Sequence, residues 1–400
     1  MESTGQRVRR YRKRAGLTQG ELGQRMGRDQ TYVSRIENDG VQLDSISQIN
    51  ALARHLSVHP ADLTGQPYRV GTTPSEDRGH AGIAEIRRQV ERFDLPAEWD
   101  GPVRSVAELA AAVAQCSDLR QAARYGRLAD VISPLLAELQ AATEIYDGDE
   151  RAEVYRLRAV AYREADSVAY GLGYLDLSIL ATERVRWAAT QSDNPLQGAV
   201  GEYLRVRQLW ESASWGDALL VLDRAIGSLE SSGAAATPAG VSVIGSIQLR
   251  AAITAARRYD ADEAWSRYDD ARDRLDQLGP DAPDFERLVF TRGNFLIHGP
   301  AIAVELGDGT EAVRRGGHLR VDPTLPASRR GHFHLDMARG WLWHGDRERA
   351  LSSLEKGDKI APALIRHHPM AQATARALLD AESRGYRERV RTLGSKLHVL

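Results

Sequence analysis

Apolar residues recur at helical spacing along most of this chain. Ile83, Ile86, Val90 and Phe93 are a typical example, and similar intervals continue through the later sequence. Because residues three and four apart lie on one face of an α-helix, this spacing predicts helices with one buried side. Hardly any stretch alternates between apolar and polar residues with period two. We therefore predict an all-α fold without a substantial sheet.

Chain length, glycine and proline divide this pattern into regions. A chain of 400 residues is too long for one compact core and suggests at least two domains. Short helical segments separated by glycines fill residues 1–64 and predict a small N-terminal domain. Residues 65–82 are rich in Gly, Pro, Ser and Thr and have no sustained period, which predicts a linker. Residues 83–400 are predicted to be helical, with a kink or a new helix start at Pro134.

An irregular internal repeat runs through the helical region. The sequences GDGTEA, at 307–312, and GDRERA, at 345–350, are offset by 38 residues. Weaker copies centre on alanines that allow two helices to approach closely: Ala181, Ala218, Ala264 and Ala312. The pattern resembles the tetratricopeptide repeat, a pair of antiparallel helices, and this resemblance implies an α-solenoid of helical hairpins. The copies are spaced by 37 to 48 residues, unlike the regular repeat. The alternative is a generic alanine-rich helical array, which is also a solenoid.

The N-terminal region contains signals for two short helices joined by a tight turn. Thr18 and Glu21 fit a capping box, in which a Ser or Thr is followed three residues later by Glu, and they predict a helix start at Thr18. Gly23 allows close helix approach, and Gly27 suits the turn. The first helix is therefore expected to cross the second at short range.

The second short helix has an unusually polar face. Asp29 can cap its N-terminus, and Val33 and Ile36 anchor it to a core. The remaining face holds Gln, Thr, Ser and Arg side chains. This arrangement resembles the helix-turn-helix of the lambda-repressor-like (Xre) family, over about residues 5–64.

The resemblance implies a five-helix domain whose second motif helix enters the major groove of DNA. It implies that base edges are read by Gln30, Thr31, Ser34 and Arg35. It also implies that Gln19 contacts phosphate and supports the recognition helix. Arg28 and Asn38 are expected to contact the DNA backbone. The alternative is a degenerate motif used only for dimerisation or protein contact.

Charge is distributed unevenly between the two regions. The chain has a formal net charge of −2, but residues 1–64 carry ten Lys and Arg against seven Asp and Glu. The segment RVRRYRKR, at 7–14, alone holds six cations. A basic head on an acidic body fits a polyanion-binding module joined to something else. Arg9, Arg12 and Lys13 are expected to add to the electrostatic footprint on DNA.

Sequence patterns for catalysis and membrane insertion are lacking. The single cysteine, Cys116, cannot form an internal disulfide and lies in an apolar helical run, so we expect a buried, inert thiol. We see no apolar span of about 18 residues and no apolar signal region, and expect a soluble cytoplasmic protein without membrane contact. His332 and His334 are two residues apart and point to different helix faces. We therefore predict no enzyme activity, no cofactor and no metal site.

The repeat frames also predict a ligand-binding wall. In a tetratricopeptide unit, the first helix lines the concave face. The positions projected onto that face are Arg163, Asp166, Tyr170, Tyr174, Tyr203, Arg207, Trp210, Asn294, His332, Arg339 and Trp343. Aromatic anchors interleaved with Arg and Asn suit an extended peptide, since Asn can bind its backbone and Arg its carboxylate. The alternative is a solvated inner wall without a ligand.

Two functional hypotheses remain. In the first, the protein is a sequence-specific transcription regulator that binds a palindromic operator in double-stranded DNA as a homodimer. Its helical region dimerises and senses a small effector, more readily a signalling peptide than a metabolite. This organisation resembles actinobacterial Xre-type regulators and Gram-positive peptide-sensing quorum regulators. In the second, the protein is a DNA-tethered scaffold whose helical region docks a partner protein.

Overall fold

The computed structural model describes residues 3–41, 43, 45–58, 60–65, 74–279, 282, 284–380, 387–397 and 399. The regular structure of these residues is helical, as predicted. The α-helices are α1 (Thr4–Arg14), α2 (Gln19–Arg25), α3 (Gln30–Glu37), α4 (Ile46–Leu56), α5 (Pro60–Thr64), α6 (Pro74–Glu91), α7 (Val106–Gln121), α8 (Tyr125–Ile145), α9 (Gly148–Gly171), α10 (Leu175–Gln191), α11 (Pro195–Glu211), α12 (Trp215–Ser231), α13 (Pro238–Arg257), α14 (Ala261–Gln277), α15 (Arg292–Glu305), α16 (Gly309–Gly316), α17 (Ala327–His344), α18 (Arg347–Ile360), α19 (Pro362–His367), α20 (Pro369–Asp380) and α21 (Arg387–Lys396). Short 3₁₀ turns lie at Ala234–Ala236 and Phe285–Arg287.

Helices α1 to α5 form a small N-terminal unit with its own apolar core. Val8, Leu22, Val33, Leu52 and Leu63 are each 0% exposed. Each of the five helices contributes one of these side chains, so burial of apolar surface holds all five together. The five-helix arrangement implied by the sequence is confirmed.

The helix boundaries in this unit follow the predicted caps. The Thr18 hydroxyl accepts a hydrogen bond from the Glu21 amide, and Glu21 Oε2 accepts one from the Thr18 amide at 2.7 Å. Asp29 Oδ1 accepts the Tyr32 amide at 2.7 Å. A Cβ atom at Gly23 would lie 2.8 Å from the carbonyl oxygens of Arg28 and Asp29. Glycine is therefore required where α2 meets the start of α3.

The structure differs from two sequence-based predictions about residues 65–145. Residues 74–82 of the predicted linker belong to α6, and its residues 66–73 lie outside the described residues. Helix α8 continues through Pro134, which neither starts nor ends a helix. Proline inside a helix removes one backbone donor and favours a bend, so the alternative of a kink at Pro134 stays a prediction.

The region after α8 is built from successive helical hairpins. Five pairs pack together: α9 with α10, α11 with α12, α13 with α14, α15 with α16, and α17 with α18. The alanines at the centres of the predicted repeats all lie in the second helix of a pair and are 0% exposed: Ala181, Ala218, Ala264, Ala312 and Ala350. The predicted solenoid-like region and its small crossing residues are confirmed.

The two GD motifs have the same structural role. Gly307 and Gly345 have φ angles of 84° and 97°, which favour glycine and reverse the chain after the first helix of a hairpin. Asp308 and Asp346 then cap the second helix by accepting backbone amide hydrogens at 2.8 and 3.0 Å. Each GD motif therefore forms the turn between the two helices of its hairpin and the N-terminal cap of the second helix.

The N-terminal unit packs against the helical array, which is the set of hairpins from α9 to α18 and the helices that follow them. Its core joins a larger apolar cluster that includes residues of α17 to α21. The Asn50 side chain donates a hydrogen bond to the Trp210 carbonyl oxygen. Arg54 Nη2 donates to the carbonyl oxygens of Ser212 and Ala213 at 3.2 and 2.6 Å. Helix α4 therefore contacts the C-terminal end of α11 directly.

Helix α13 is the most apolar long helix among the described residues. Its length and hydropathy are sufficient to cross a membrane, but 83% of its most apolar segment is buried inside the protein. A buried core helix has the same composition, and this helix packs against α14. One such helix is weak support for a membrane span.

Candidate DNA-binding helix and central cavity

Helix α3 presents the polar face expected from the sequence. Val33 and Ile36 are buried at 0% and 1% exposure, and they fix the helix to the core. Gln30, Thr31 and Arg35 are exposed, while Ser34 is half-buried. The exposed side chains can donate and accept in-plane hydrogen bonds of the kind that read base edges.

A buried ion pair holds α3 against the two preceding helices. Arg12 Nε lies 2.5 Å from Glu37 Oε1, and Arg12 Nη1 donates to the Leu17 carbonyl oxygen at 2.6 Å. Gln19 Nε2 donates to Glu37 Oε2 at 2.8 Å. Burial raises the pKa of Glu37, but the hydrogen bonds from Arg12 and Gln19 outweigh burial and hold that pKa below its ordinary value. Helices α1, α2 and α3 are therefore tied together at one carboxylate.

This network changes the expected roles of two residues. Arg12 was assigned to the electrostatic footprint, but it is only 8% exposed and pairs internally. Gln19 supports the carboxylate at the end of α3, which agrees with a supporting role for the recognition helix. Both roles depend on Glu37, a residue that the sequence pattern did not single out.

The flanking residues Arg28 and Asn38 are both exposed, one before and one after α3. The Arg28 guanidinium lies 5.3 Å from the centre of the Tyr32 ring. Asn38 Nδ2 donates to the Ser34 carbonyl oxygen at 2.9 Å. These contacts position both side chains at the edges of α3, next to any groove that α3 enters.

A second candidate site is a cavity of about 410 Å³ at the centre of the molecule. It is lined by the first helices of all five hairpins, α9, α11, α13, α15 and α17. Ile49, Asn50, Pro60 and Thr64 of the N-terminal unit also line it. The cavity therefore lies between the array and the N-terminal unit.

Eight of the predicted wall residues lie on the cavity: Arg163, Tyr170, Tyr203, Arg207, Trp210, Asn294, His332 and Arg339. Tyr170 is 37% exposed even though it belongs to this central wall, so its exposed surface faces the cavity. The structure therefore gathers these side chains around one space. Ligand binding by them remains a prediction.

The other three predicted residues lie off the cavity wall. Asp166 is 0% exposed and pairs with Arg207 from behind the wall. The Tyr174 hydroxyl lies 3.0 Å from His80 Nδ1 at the contact with α6. Trp343 packs in a small apolar cluster beside α16. The repeat frame places Tyr174 and Trp343 at the last position of the concave stripe, whereas Asp166 lies in its middle and is covered by its pairing with Arg207.

Sequence reasoning missed several wall residues, above all Arg250. This residue lies in α13, onto which no repeat frame was projected. Its guanidinium lies 3.5 Å from the centre of the Tyr203 ring and 5.2 Å from that of Trp210. A signal was present, because Arg250 is the only charged residue of α13 before Arg257 at its end.

Burial shifts the acidic and imidazole groups of the wall. Burial raises the pKa of Glu211 to about 7, although Arg257 and Arg207 oppose the shift. Burial also raises the pKa of Asp336 to about 7. The pKa values of His298 and His332 fall to about 4, mainly through burial and also through the charge of Arg329. Both imidazoles are therefore neutral near pH 7.

The cavity contains imidazole and carboxylate groups, but they do not form a metal site. No group of three or more His, Cys, Asp or Glu residues suited to a metal ion occurs within the described part of the chain. Cys116 is buried at 2% exposure, and burial raises the pKa of its thiol to about 12, as expected for an inert core cysteine.

Comparison with known proteins bears on the N-terminal unit. Residues 4–64 match the family model described as a helix-turn-helix domain. This match, together with the five-helix fold, makes the N-terminal unit a helix-turn-helix domain and supports a DNA-binding transcription regulator. The curated proteins contain no match to the chain.

A solved structure with similarity to this chain is the crystal structure of Bacillus thuringiensis PlcR in complex with the peptide PapR7 and DNA. The sequences are 17% identical, and the similarity covers 69% of this chain and 95% of that chain, with a TM-score of 0.29. With so low a TM-score, the assignment rests on the N-terminal match.

Proposed function

We propose that this protein is a sequence-specific transcription regulator that reads duplex DNA through α3 and responds to an effector bound in the central cavity. The observation that carries the DNA-binding part is the exposed polar face of α3 on a firmly held helix. Gln30 suits adenine, Arg35 suits guanine or phosphate, and Thr31 suits a thymine methyl group. The Arg12–Glu37 pair fixes the orientation of this face.

We also propose that the protein binds its operator as a homodimer. A single helix-turn-helix domain contacts only a few base pairs, so tight and specific binding requires two half-sites related by symmetry. The array is the larger part of the chain and is the expected place of contact between the copies. Light scattering of the full chain is expected to give twice the monomer mass of 44.1 kDa.

The effector part of the proposal is supported by the position of the cavity. Four residues of the helix-turn-helix domain line it together with the array, so a bound molecule would contact both parts. An effector changes operator affinity only if it binds the DNA-competent and incompetent states with different affinity. A cavity lined by both regions would provide such a difference if the two regions change their relative position between the two states.

The DNA-binding proposal is tested by selecting random duplex fragments on the purified protein and sequencing those retained. Wild type is expected to enrich a symmetric motif. Gln30→Ala is expected to weaken the preference at one position of each half-site. Gln277→Ala, which removes an exposed glutamine at the end of α14, is the matched control. Unchanged enrichment by Gln30→Ala would assign recognition to another surface.

A scaffold function has a different signature. If a cell extract contains the effector, adding its small-molecule fraction changes the operator affinity of a regulator. A scaffold retains its operator affinity under every fraction, and instead co-purifies with a partner protein. The two outcomes therefore separate the two hypotheses.

A further inference from the structure

The cavity wall carries more positive than negative charge. Seven arginines line it, on helices α7, α9, α11, α13 and α17, while its own carboxylates are those of Glu211, Glu305 and Asp336. Two further carboxylates, Asp166 and Glu164, pair with wall arginines from behind. Burial of so many like charges is unfavourable unless each has a counter-charge.

Four of the seven arginines have such a partner. Arg207 pairs with Asp166, and Arg120 Nε lies 2.8 Å from Glu164 Oε2. Arg257 and Arg339 both pair with Glu305, at 3.3 and 3.2 Å. These ion pairs connect neighbouring helices of the array and have a structural role in its packing.

The other three arginines contact backbone carbonyl oxygens instead. Arg163 donates to Glu286 and Arg287 at 2.5 and 2.8 Å. Arg250 donates to the Tyr203 carbonyl oxygen at 2.8 Å, and Arg329 to that of Leu288 at 3.4 Å. Within the described residues, no carboxylate lies within ion-pair distance of these three side chains. A carbonyl oxygen satisfies one N–H group but does not neutralise the guanidinium charge.

The Arg250 guanidinium lies 3.5 Å from the centre of the Tyr203 ring, and the side chains of Arg250 and Arg329 both hydrogen-bond the Tyr203 phenol. Burial alone would raise the pKa of Tyr203, but the charges of Arg250 and Arg329 outweigh burial and lower this pKa to about 7. The same two arginines help to lower the pKa of the neighbouring His298. The charge of the pair therefore acts on both Tyr203 and His298, and a negative group placed there would be stabilised.

Asn294 adds a second polar feature to this part of the wall. Its side chain is 2% exposed, and its carbonyl oxygen Oδ1 is buried without a hydrogen-bond partner among the described residues. A buried acceptor left unsatisfied is unfavourable by about 1–3 kcal/mol. Its backbone oxygen lies 2.7 Å from Nδ1 of His298, and Asn294, Arg250 and Arg329 all line the same cavity.

We propose that the cavity binds an oxyanion, a carboxylate or a phosphate, between Arg250 and Arg329, while a hydrogen-bond donor of the same ligand meets Asn294. This proposal deepens the effector part of the proposed function and rests on it. The guanidinium groups supply charge-assisted hydrogen bonds, which are strong where water is excluded. Because Asn294 Oδ1 is itself buried, an N–H or O–H group of the ligand reaches this acceptor only when the Asn294 side chain turns toward the cavity.

The first test measures thermal unfolding of the full chain at constant ionic strength, in chloride, inorganic phosphate or citrate. Phosphate or citrate is expected to raise the melting temperature of wild type above its value in chloride. Arg329→Gln is expected to raise the half-saturating concentration about tenfold, because one charge-assisted contact is lost. Arg272→Gln, at an exposed arginine of α14 that pairs with Asp269, is the matched control.

Two peptides distinguish the source of the anion. Pentaalanine with a free C-terminus and its C-terminal amide differ only in the carboxylate. Stabilisation by the free acid alone indicates a peptide end, whereas stabilisation by phosphate or citrate alone indicates a free metabolite anion. If none of these probes stabilises wild type, or if Arg329→Gln and Arg250→Gln both respond as wild type does, the oxyanion site is overturned.

Tyr203 provides an independent readout that uses neither DNA nor unfolding. A bound oxyanion competes with the phenolate for the arginine charges, so the pKa of Tyr203 rises and the phenolate absorbance at fixed pH slightly above 7 decreases. Tyr203→Phe removes this signal and assigns it. A failure of DNA binding leaves both readouts intact, so failure of this proposal is distinguishable from failure of the DNA-binding proposal.

Discussion

Arginine is used differently in the helix-turn-helix domain and in the central cavity. In the domain, Arg28 and Arg35 are exposed, and the buried Arg12 has a full counter-charge in Glu37. In the cavity, Arg163 and Arg250 donate hydrogen bonds to backbone carbonyl oxygens, and no carboxylate among the described residues lies within ion-pair distance of either. In the domain, one arginine stabilises the fold and other arginines are free to bind DNA. In the cavity, arginines inside the fold keep a positive charge that is available to a ligand.

The difference indicates two kinds of anionic partner. Exposed arginines interact weakly one by one and are screened by salt, which suits a polyanion contacted at many points. Buried arginines interact strongly because little water competes, which suits a small ligand held by few groups. The predictions below test this contrast from the largest expected effect to the smallest.

The buried pair in the domain is expected to give the largest effect on stability. Glu37→Leu leaves the Arg12 charge buried without its carboxylate, and Arg12→Met leaves Glu37 in the same state. Each single variant is expected to destabilise the domain by about 3–5 kcal/mol, measured by urea unfolding. The stabilising effect of Glu37 is present above its unfolded pKa and is lost as pH falls through its lower folded pKa, so acid should reduce the difference.

The double variant is the control for this experiment. Replacing both charges with apolar side chains of similar volume is often neutral or stabilising. We therefore expect Arg12→Met with Glu37→Leu to be far more stable than either single variant. If the double variant is as unstable as the singles, packing around these side chains, and not an unpaired charge, explains the loss.

The exposed face of α3 is expected to show intermediate effects on DNA affinity. Gln30→Ala should weaken binding to the selected operator by about 1–3 kcal/mol, with little change on unrelated DNA. Arg28→Ala should weaken binding to all sequences alike and reduce the salt dependence by about one counterion. Affinities measured over a range of salt concentrations separate the two residues, and equal behaviour would contradict the assigned roles.

Sequence patterns predicted the helix-turn-helix domain well because its signals are local. The Thr18 capping box, the Asp29 cap and the close contact at Gly23 each involve residues only a few positions apart. Arg12 was assigned to the surface for the same reason, since a run of six cations looks like one basic face. Its burial depends on Glu37, which lies 25 residues away and is brought near by the fold.

The cavity was predicted in part. Helical hairpins repeat the same geometry, so a projected frame placed eight side chains on the concave wall, including Asn294. No local pattern reports which helices of a neighbouring domain cover that wall, and Asn50 was therefore missed. Arg250 was missed because no concave positions were projected onto α13, although a lone charge within a long apolar stretch was visible in the sequence.

Asp336 allows a pH test of burial in the cavity. Its folded pKa of about 7 exceeds the ordinary value of 3.8 because burial disfavours the charge. Wild-type stability therefore contains a contribution that is fully present below the unfolded pKa and is lost as pH rises through 7. Asp336→Asn stays neutral, so its stability relative to wild type should increase by about 2–3 kcal/mol between about pH 5 and pH 8.

Chemical unfolding at several pH values measures this difference directly, and Asp273→Asn on the exposed side of α14 is its matched control. A difference that stays constant with pH would show that Asp336 is hydrated through the cavity. In that case the cavity wall would resemble the protein surface electrostatically, and the contrast with the exposed α3 would be weaker than proposed.

The contact between the two regions is expected to give the smallest effect. Asn50→Ala removes the hydrogen bond from α4 to the Trp210 carbonyl oxygen, and one such bond contributes about 0.5–1.5 kcal/mol. The apolar cluster that joins the domain to the C-terminal helices remains, so global unfolding should change little. Hydrogen exchange should instead increase locally, at the amides of α4 and at the end of α11, because the contact between the domain and the array opens more often.

Gln24→Ala, at an exposed residue of α2, should leave this exchange unchanged. Equal exchange in Asn50→Ala and wild type would mean that the apolar cluster alone holds the domain in place, and that polar contacts at the cavity rim do not couple the two regions.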